Sequence, residues 1–276
     1  MEFGWNEHQE ALRKRVGEFC EQHCTEAQAE ALDRNPEFPA ALHRALAESD
    51  LIGQAFPEIL GGRGGNVTDI AIIHEAIGGR SDSALNILFV NSICGTLIMY
   101  GGTDPQKKEL VPAIARGEKS FAFALTEPGA GSDAGAIATT ATLDGDEYVV
   151  NGVKLYTTGA RDADFIMTAV RSDPEQKASR GTSLLMVPTQ ASGMKIEAMH
   201  KIAGNAIASC RVEYNDVRVP VANRIGGENQ AWPLLMLGGG LERLIVSAAA
   251  VGSAQRILDD VVAFVTKREQ FGQPVG

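Results

Sequence analysis

Apolar positions change their spacing twice along the chain. In NEHQEALRKRVGEFCEQH, Leu12, Val16 and Phe19 fall on one helical face and charge occupies the others. PAALHRALAESDLIG repeats that arrangement. After a glycine-rich turn, ILGGRGGN, come TDIAIIHEAIGG and SALNILFVNSICGTLIMYGG. The second of these is apolar on nearly every face, which marks a helix buried among others. TDPQKKELVPAIARGE opens on two capping candidates, Thr103 and Asp104, with Pro105 suited to a first helical position.

From about Phe121 to Arg224 the spacing shortens. DFIMTAV, GTSLLMVP, GMKIEAMH and ASCRVEYNDVRVP are strand-length runs bounded by Gly, Pro, Asp and Asn. TTATL, EYVV and VKLY are separated by DGD and NG, and an Asn-Gly pair between such runs predicts a hairpin. Helical spacing returns after the glycines at 238–240. Leu241, Leu244, Ile245, Ala248, Leu258, Val261, Val262 and Val265 then keep phase, and burial is expected for the first half. One such helix cannot bury itself. The expected fold is α+β and multidomain. An N-terminal all-α domain spans 1–120, a middle antiparallel β-barrel or sandwich 121–225, and the start of a C-terminal helical bundle 226–276.

Composition narrows the function. A formal net charge of −10 argues against a nucleic-acid partner, which needs clustered Lys and Arg. No apolar run is expected to approach membrane-spanning length, and MEFGWNEHQEALRKRV lacks the apolar centre of a signal peptide, so the expected location is cytoplasmic. Cys20, Cys24, Cys94 and Cys210 are too few for a disulfide framework. Cys20, His23 and Cys24 lack a second ligand pair at metal-binding spacing, so free thiols are expected and no metal.

The densest chemistry lies in LTEPGAGSDAG, residues 125–135. Gly129, Gly131 and Ala134 fit G-x-G-x-x-A, but that fingerprint needs a helix to follow, and β-patterned runs follow instead. The loop keeps another use. Glycines let main-chain N–H groups approach a ligand, and successive exposed amides make an anion-binding nest. A phosphate-bearing cofactor on a different fold is the expectation.

Helices, then a β-domain, then helices, with LTEPGAGSD at the first junction, resemble the acyl-CoA dehydrogenase family. The likeness extends through GGTDPQKKELVPAIARGE, EYVVNGVKLYTT, YNDVRVP and REQFGQPVG, over essentially the whole chain. Against that family the chain reads as a member cut off early at its C-terminus. The resemblance implies bound FAD, oxidation of an acyl-CoA to its trans-2-enoyl thioester, and electron delivery to an electron-transfer flavoprotein. It also implies a homo-oligomer, tetramer or dimer. Enoyl-CoA reduction, oxidase chemistry and a non-catalytic FAD- or acyl-CoA-binding subunit are the competing readings.

Residue by residue, Thr126 matches the threonine whose hydroxyl meets the flavin pyrimidine edge, with Phe123 and Leu125 beside it. Gly131 and Ser132 match positions serving the pyrophosphate and the CoA chain, so Ser132 is also a substrate contact. Tyr156, Thr157 and Thr158 match the strand passing the flavin N5 region; many relatives have Trp where this chain has Tyr156. Arg268, Gln270 and Phe271 match a segment reaching a neighbouring subunit's FAD. Most members draw the catalytic carboxylate from a later segment, whereas a subset draws it from the helix after the β-domain. Glu242 in GLERLIV stands at that alternative position, with Arg243 beside it as a substrate-binding candidate. Relatives often place Asp two residues earlier, where this chain has Gly240. Ile245, Val246 and Ala249 share the stripe of Glu242, so burial should raise its pKa, while Arg243 and an expected helix N-terminus should lower it.

Overall fold

The computed structural model describes residues 4–34 and 37–276. Six helices open the fold: α1 (Glu7–His23), α2 (Glu26–Arg34), α3 (Ala40–Glu48), α4 (Val67–Gly78), α5 (Asp82–Gly101) and α6 (Asp104–Ala115). Local chemistry fixes several starts. Thr103 caps α6 in a reciprocal box with Gln106, its hydroxyl accepting from the Gln106 amide at 3.4 Å, and Pro105 lies in the first turn. Asn66 and Asp69 make the same box at the start of α4. α1 buries Leu12, Val16, Phe19 and Cys20, the stripe expected from spacing.

α5 is the central helix, with a buried run from Val90 to Ile98. At 20 residues and mean hydropathy 1.5 it is long and apolar enough to cross a membrane, contrary to the expectation that no run reaches that length. Its Asn91, Ser92, Cys94 and Thr96 are enclosed by protein, and Asn91 donates to the Ile87 carbonyl, as in a core helix.

The middle domain is an eight-stranded sheet built from β1 (Phe121–Ala124), β2 (Thr140–Asp144), β3 (Glu147–Thr158), β4 (Phe165–Arg171), β5 (Thr182–Pro188), β6 (Met194–Ala198), β7 (Ser209–Pro220) and β8 (Arg224–Ile225). A four-residue helix, α7 (Ala178–Gly181), lies between β4 and β5. The order is β6-β7-β3-β2-β4-β5-β8, with β1 added beside β4. Most ladders are antiparallel as expected, but β1 and a single β2 residue pair parallel with β4. Parallel pairing needs a long connection, and the 124–140 loop and β2–β3 hairpin supply it.

Two expectations fail in this region and the next. Asn151-Gly152 makes no hairpin, and β3 runs through it as a bulged strand. Gly152 has φ +153°, and a β-carbon there would stand 2.4 Å from the Thr139 hydroxyl. The glycine therefore serves close strand approach, not a reversal. Likewise the glycines at 238–240 do not precede a helix but lie inside α8 (Trp232–Val265). Packing of Leu235, Gly238, Ile245 and Ala249 overrides a cost of about 1 kcal/mol per glycine.

α8 was expected to bury its first half, yet those four are its buried residues. It too is long and apolar enough to cross a membrane, with 22% of the relevant window buried. α8 crosses α4 at backbone contact: a β-carbon on Gly78 would meet the Ala249 Cα at 2.6 Å, and Ser253 Oγ donates to the Gly78 carbonyl at 2.8 Å. A short hairpin, β9 (Glu269–Gln270) and β10 (Gln273–Pro274), closes the chain.

Candidate functional site

Between the glycine-rich loop and α8 lies a cleft of about 740 Å³. Its walls include Leu125, Gly131, Ser132, Trp232, Glu242 and Arg243. That volume suits a small-molecule site. The fold thus gathers five of the sequence-nominated residues, from two regions more than a hundred positions apart, into one concavity. Asp133, Trp232, Met236 and Ser247 line it as well and were not nominated.

The loop is shaped from within. Glu127 and Ala130 exchange backbone hydrogen bonds at 2.9 and 3.1 Å, and Asp133 accepts from the Gly135 amide. The exposed amides of Gly131 and Ser132 donate to no described residue. Thr126 is half-buried, and its carbonyl accepts from Leu155 N at 2.8 Å, which seats the loop on β3.

β3 carries the second set of candidates. The ladder to β7 shifts register between Lys154 and Thr157. At this bulge Tyr156 takes φ +57° and turns outward, 62% exposed. Thr157 is turned fully inward, and its hydroxyl has no hydrogen-bond partner among the described residues. Thr158 is half-buried. Phe123, on β1 opposite Met167, is also half-buried.

These donors test the expected FAD. They are uncharged amides and hydroxyls, including two exposed loop amides left unpaired, as a pyrophosphate and a ring edge rich in acceptors require; the Thr157 hydroxyl, also nominated, is enclosed by protein and out of reach of a ligand. The residues fit the group.

Glu242 sits in the third turn of α8, not the first. The expected lowering of its pKa by a helix N-terminus therefore drops out, since that influence fades within a turn. Burial pushes its carboxyl above the ordinary range, and Arg243 pulls it back in part. Ile245 and Ala249 on its stripe are buried, whereas Val246 is 54% exposed. A latch fixes the start of α8: Asn229 N donates to Ser183 Oγ at 2.8 Å, and Ala231 N to the Thr182 carbonyl at 2.9 Å.

Arg268, Gln270 and Phe271 are not brought into the cleft. They lie in the terminal hairpin, exposed, with Phe271 at φ +53°. All four cysteines are buried free thiols.

Sequence reasoning passed over Lys154 and Glu127. Lys154 is fully buried, and its ammonium lies 2.7 Å from Glu127 Oε1. Alternation would have flagged it, because Tyr148, Val150 and Lys154 fall on one face of β3, the core face. A lysine there demands a carboxylate.

Comparison with known proteins agrees with this geometry. The family model for the acyl-CoA dehydrogenase N-terminal domain matches residues 6–118, and that for the middle domain matches 122–217. An acryloyl-CoA reductase (NADH) of Anaerotignum propionicum is 35% identical over all of this chain and 70% of its own length. A caffeyl-CoA reductase–Etf complex subunit of Acetobacterium woodii is 32% identical over 98% of this chain and 72% of its own. Butyryl-CoA dehydrogenase of Megasphaera elsdenii superposes with TM-score 0.93 at 27% identity, over 100% of this chain and 73% of that one.

Proposed function

Because the chain belongs to the acyl-CoA dehydrogenase family, whose cofactor is FAD, we propose that it dehydrogenates an acyl-CoA at the α,β bond, with Glu242 as the base. The observation that carries this reading is the shared cleft, in which a half-buried carboxylate faces the loop of unpaired amides.

FAD, when bound, supplies the acceptor for the hydride leaving the β-carbon. Gly131 and Ser132 amides would hold its pyrophosphate, and Thr126 would donate to its pyrimidine edge, where negative charge collects on reduction. Thr158 would face the ring from β3, and the Tyr156 side chain, turned outward at the bulge, would wall its edge, whereas Thr157, turned inward between them, would support the strand from behind. Glu242 takes the proton from the α-carbon; that C–H pair becomes the new C=C bond as the hydride departs. Its raised pKa strengthens it as a base. Ser132 and Arg243 would contact the CoA portion at the mouth. We further propose that electrons pass to an electron-transfer flavoprotein, that the chain works in the cytoplasm, and that it assembles as a homo-oligomer. In that assembly Arg268, Gln270 and Phe271 would serve a neighbour's cofactor.

The likeness to an NADH-linked reductase favours a second reading on the same residues. There Glu242, protonated, would return the proton to the α-carbon of an enoyl thioester. Anaerobic titration separates the two. Bleaching of the flavin by saturated acyl-CoAs supports dehydrogenation; no bleaching by them, with rapid reoxidation of reduced enzyme by enoyl-CoAs, supports reduction. Glu242→Gln should slow either reaction by orders of magnitude while FAD stays bound, and unchanged turnover would remove Glu242 from the chemistry.

A further inference from the structure

Lys154 and Glu127 lie outside the cleft yet tie down the glycine-rich loop that forms one of its walls. Lys154 Nζ donates to the Leu125 carbonyl at 3.1 Å and to Glu127 Oε1 at 2.7 Å. Glu127 in turn accepts from the amides of Ala138 at 2.6 Å and Thr139 at 3.0 Å. One cation therefore ties β3 to the end of β1, and one carboxylate ties the start of the glycine loop to its far end. Between those knots the loop spans residues 128–137, including Gly131 and Ser132.

The bulge shows what this arrangement achieves. In an unbroken strand Lys154 and Tyr156 would share a face. Here Lys154 is buried, Tyr156 projects outward, and Thr157 turns in, because the register shifts directly after Lys154. At the very next residue, Leu155 N donates to the Thr126 carbonyl. The placement of Thr126 and of the β3 candidates thus follows from where the lysine is anchored.

Stability alone does not account for such a pair. Replacing a buried ion pair with apolar side chains of similar size is often neutral or stabilising. We propose that Lys154 and Glu127 are positioning residues, a buried clamp that holds the glycine loop and the β3 bulge in the one mutual arrangement competent to receive the cofactor. This rests on the FAD reading above. Burial draws the Lys154 ammonium down to about 8, while Glu127, pushed up by burial, is brought below its ordinary value by Lys154 and the two amides. The pair is accordingly ionised at neutral pH.

The test compares the native chain with Lys154→Met and Glu127→Gln. It measures FAD dissociation by flavin fluorescence quenching, the bound flavin's midpoint potential, and apoprotein unfolding. Groups that orient the ligands of a metal site commonly matter by about ten- to a hundredfold in affinity, and a clamp behind a flavin loop is expected on the same scale. Each variant is expected to weaken FAD binding at least about tenfold and to shift the potential negative, as Thr126 loses its aim at the reduced ring. Those two readouts separate positioning from a purely structural role, which would lower only the unfolding midpoint. Should Lys154→Met fail to fold, Glu127→Gln, nearly isosteric, decides. Native-like affinity and potential in a folded variant overturn the inference. Failure of the native chain itself to bind FAD overturns the cofactor reading, and this inference with it.

Discussion

Gly252 on α8 rests against the backbone carbonyl of Glu75 on α4, so closely that a β-carbon would stand 1.8 Å from that oxygen. Gly252→Ala must push the helices apart, and overpacking of this kind typically costs about 1–3 kcal/mol. Because α8 also carries Glu242, the variant should melt earlier and turn over more slowly while still binding FAD. Thermal unfolding and a steady-state assay check both. Gly240→Ala is the contrast. Its site is open and helical, so it should gain up to about 1 kcal/mol.

Glu242 should set the acid limb of the activity profile. Its carboxyl titrates above the ordinary range because burial outweighs Arg243, and only the ionised form accepts a proton. In the dehydrogenation direction, kcat/KM should rise with pH through one ionisation lying above the usual carboxylate value. Arg243→Ala removes the pull of the cation and should move that limb further up. Glu242→Gln should lower kcat by about 10²–10⁴-fold, the usual contribution of a positioned acid or base.

Thr157 offers a gain in stability. Its hydroxyl is buried and has no partner among the described residues, and such a group costs about 1–3 kcal/mol. Thr157→Val should therefore stabilise the apoprotein and, because the hydroxyl is enclosed by protein, leave FAD affinity unchanged. Paired melts with and without FAD check both.

His74 should make the fold acid-sensitive. Its Nδ1 lies 2.7 Å from the Ile70 carbonyl, its Nε2 has no partner among the described residues, and burial lowers its pKa to about 4. The folded state keeps this imidazole neutral while the unfolded chain protonates it below about 6.5. The stability it contributes is thus present above that value and drains as pH falls toward 4, by about 3 kcal/mol in all. Urea titrations across that window should show the loss, and His74→Leu should flatten it.

Much of the helical half was legible because its signals are local. The stripe of Leu12, Val16 and Phe19 and the cap at Thr103 need no knowledge of distant residues. The β-patterned runs after the glycine loop were legible as strands, which excluded a dinucleotide fingerprint there. What escaped depends on tertiary contact. Asn151-Gly152 looked like a turn because Thr139, which demands the bare glycine, lies twelve residues upstream of Asn151 and touches it only in the folded sheet. The glycines at 238–240 looked like a break because the packing of Gly238 against Leu97 and Ile93 on α5 is invisible in the chain. The α8 start was accordingly placed too late, and with it the field at Glu242.

Burial isolates Lys154 chemically as well as structurally. Its amine, wholly enclosed by protein, is out of reach of any reagent in water until the sheet opens. Among the chain's lysines it should be the last to acquire a label under amine-directed footprinting. The moment it does so marks the parting of the strands beside the glycine loop, giving the fold an internal clock set by one native side chain.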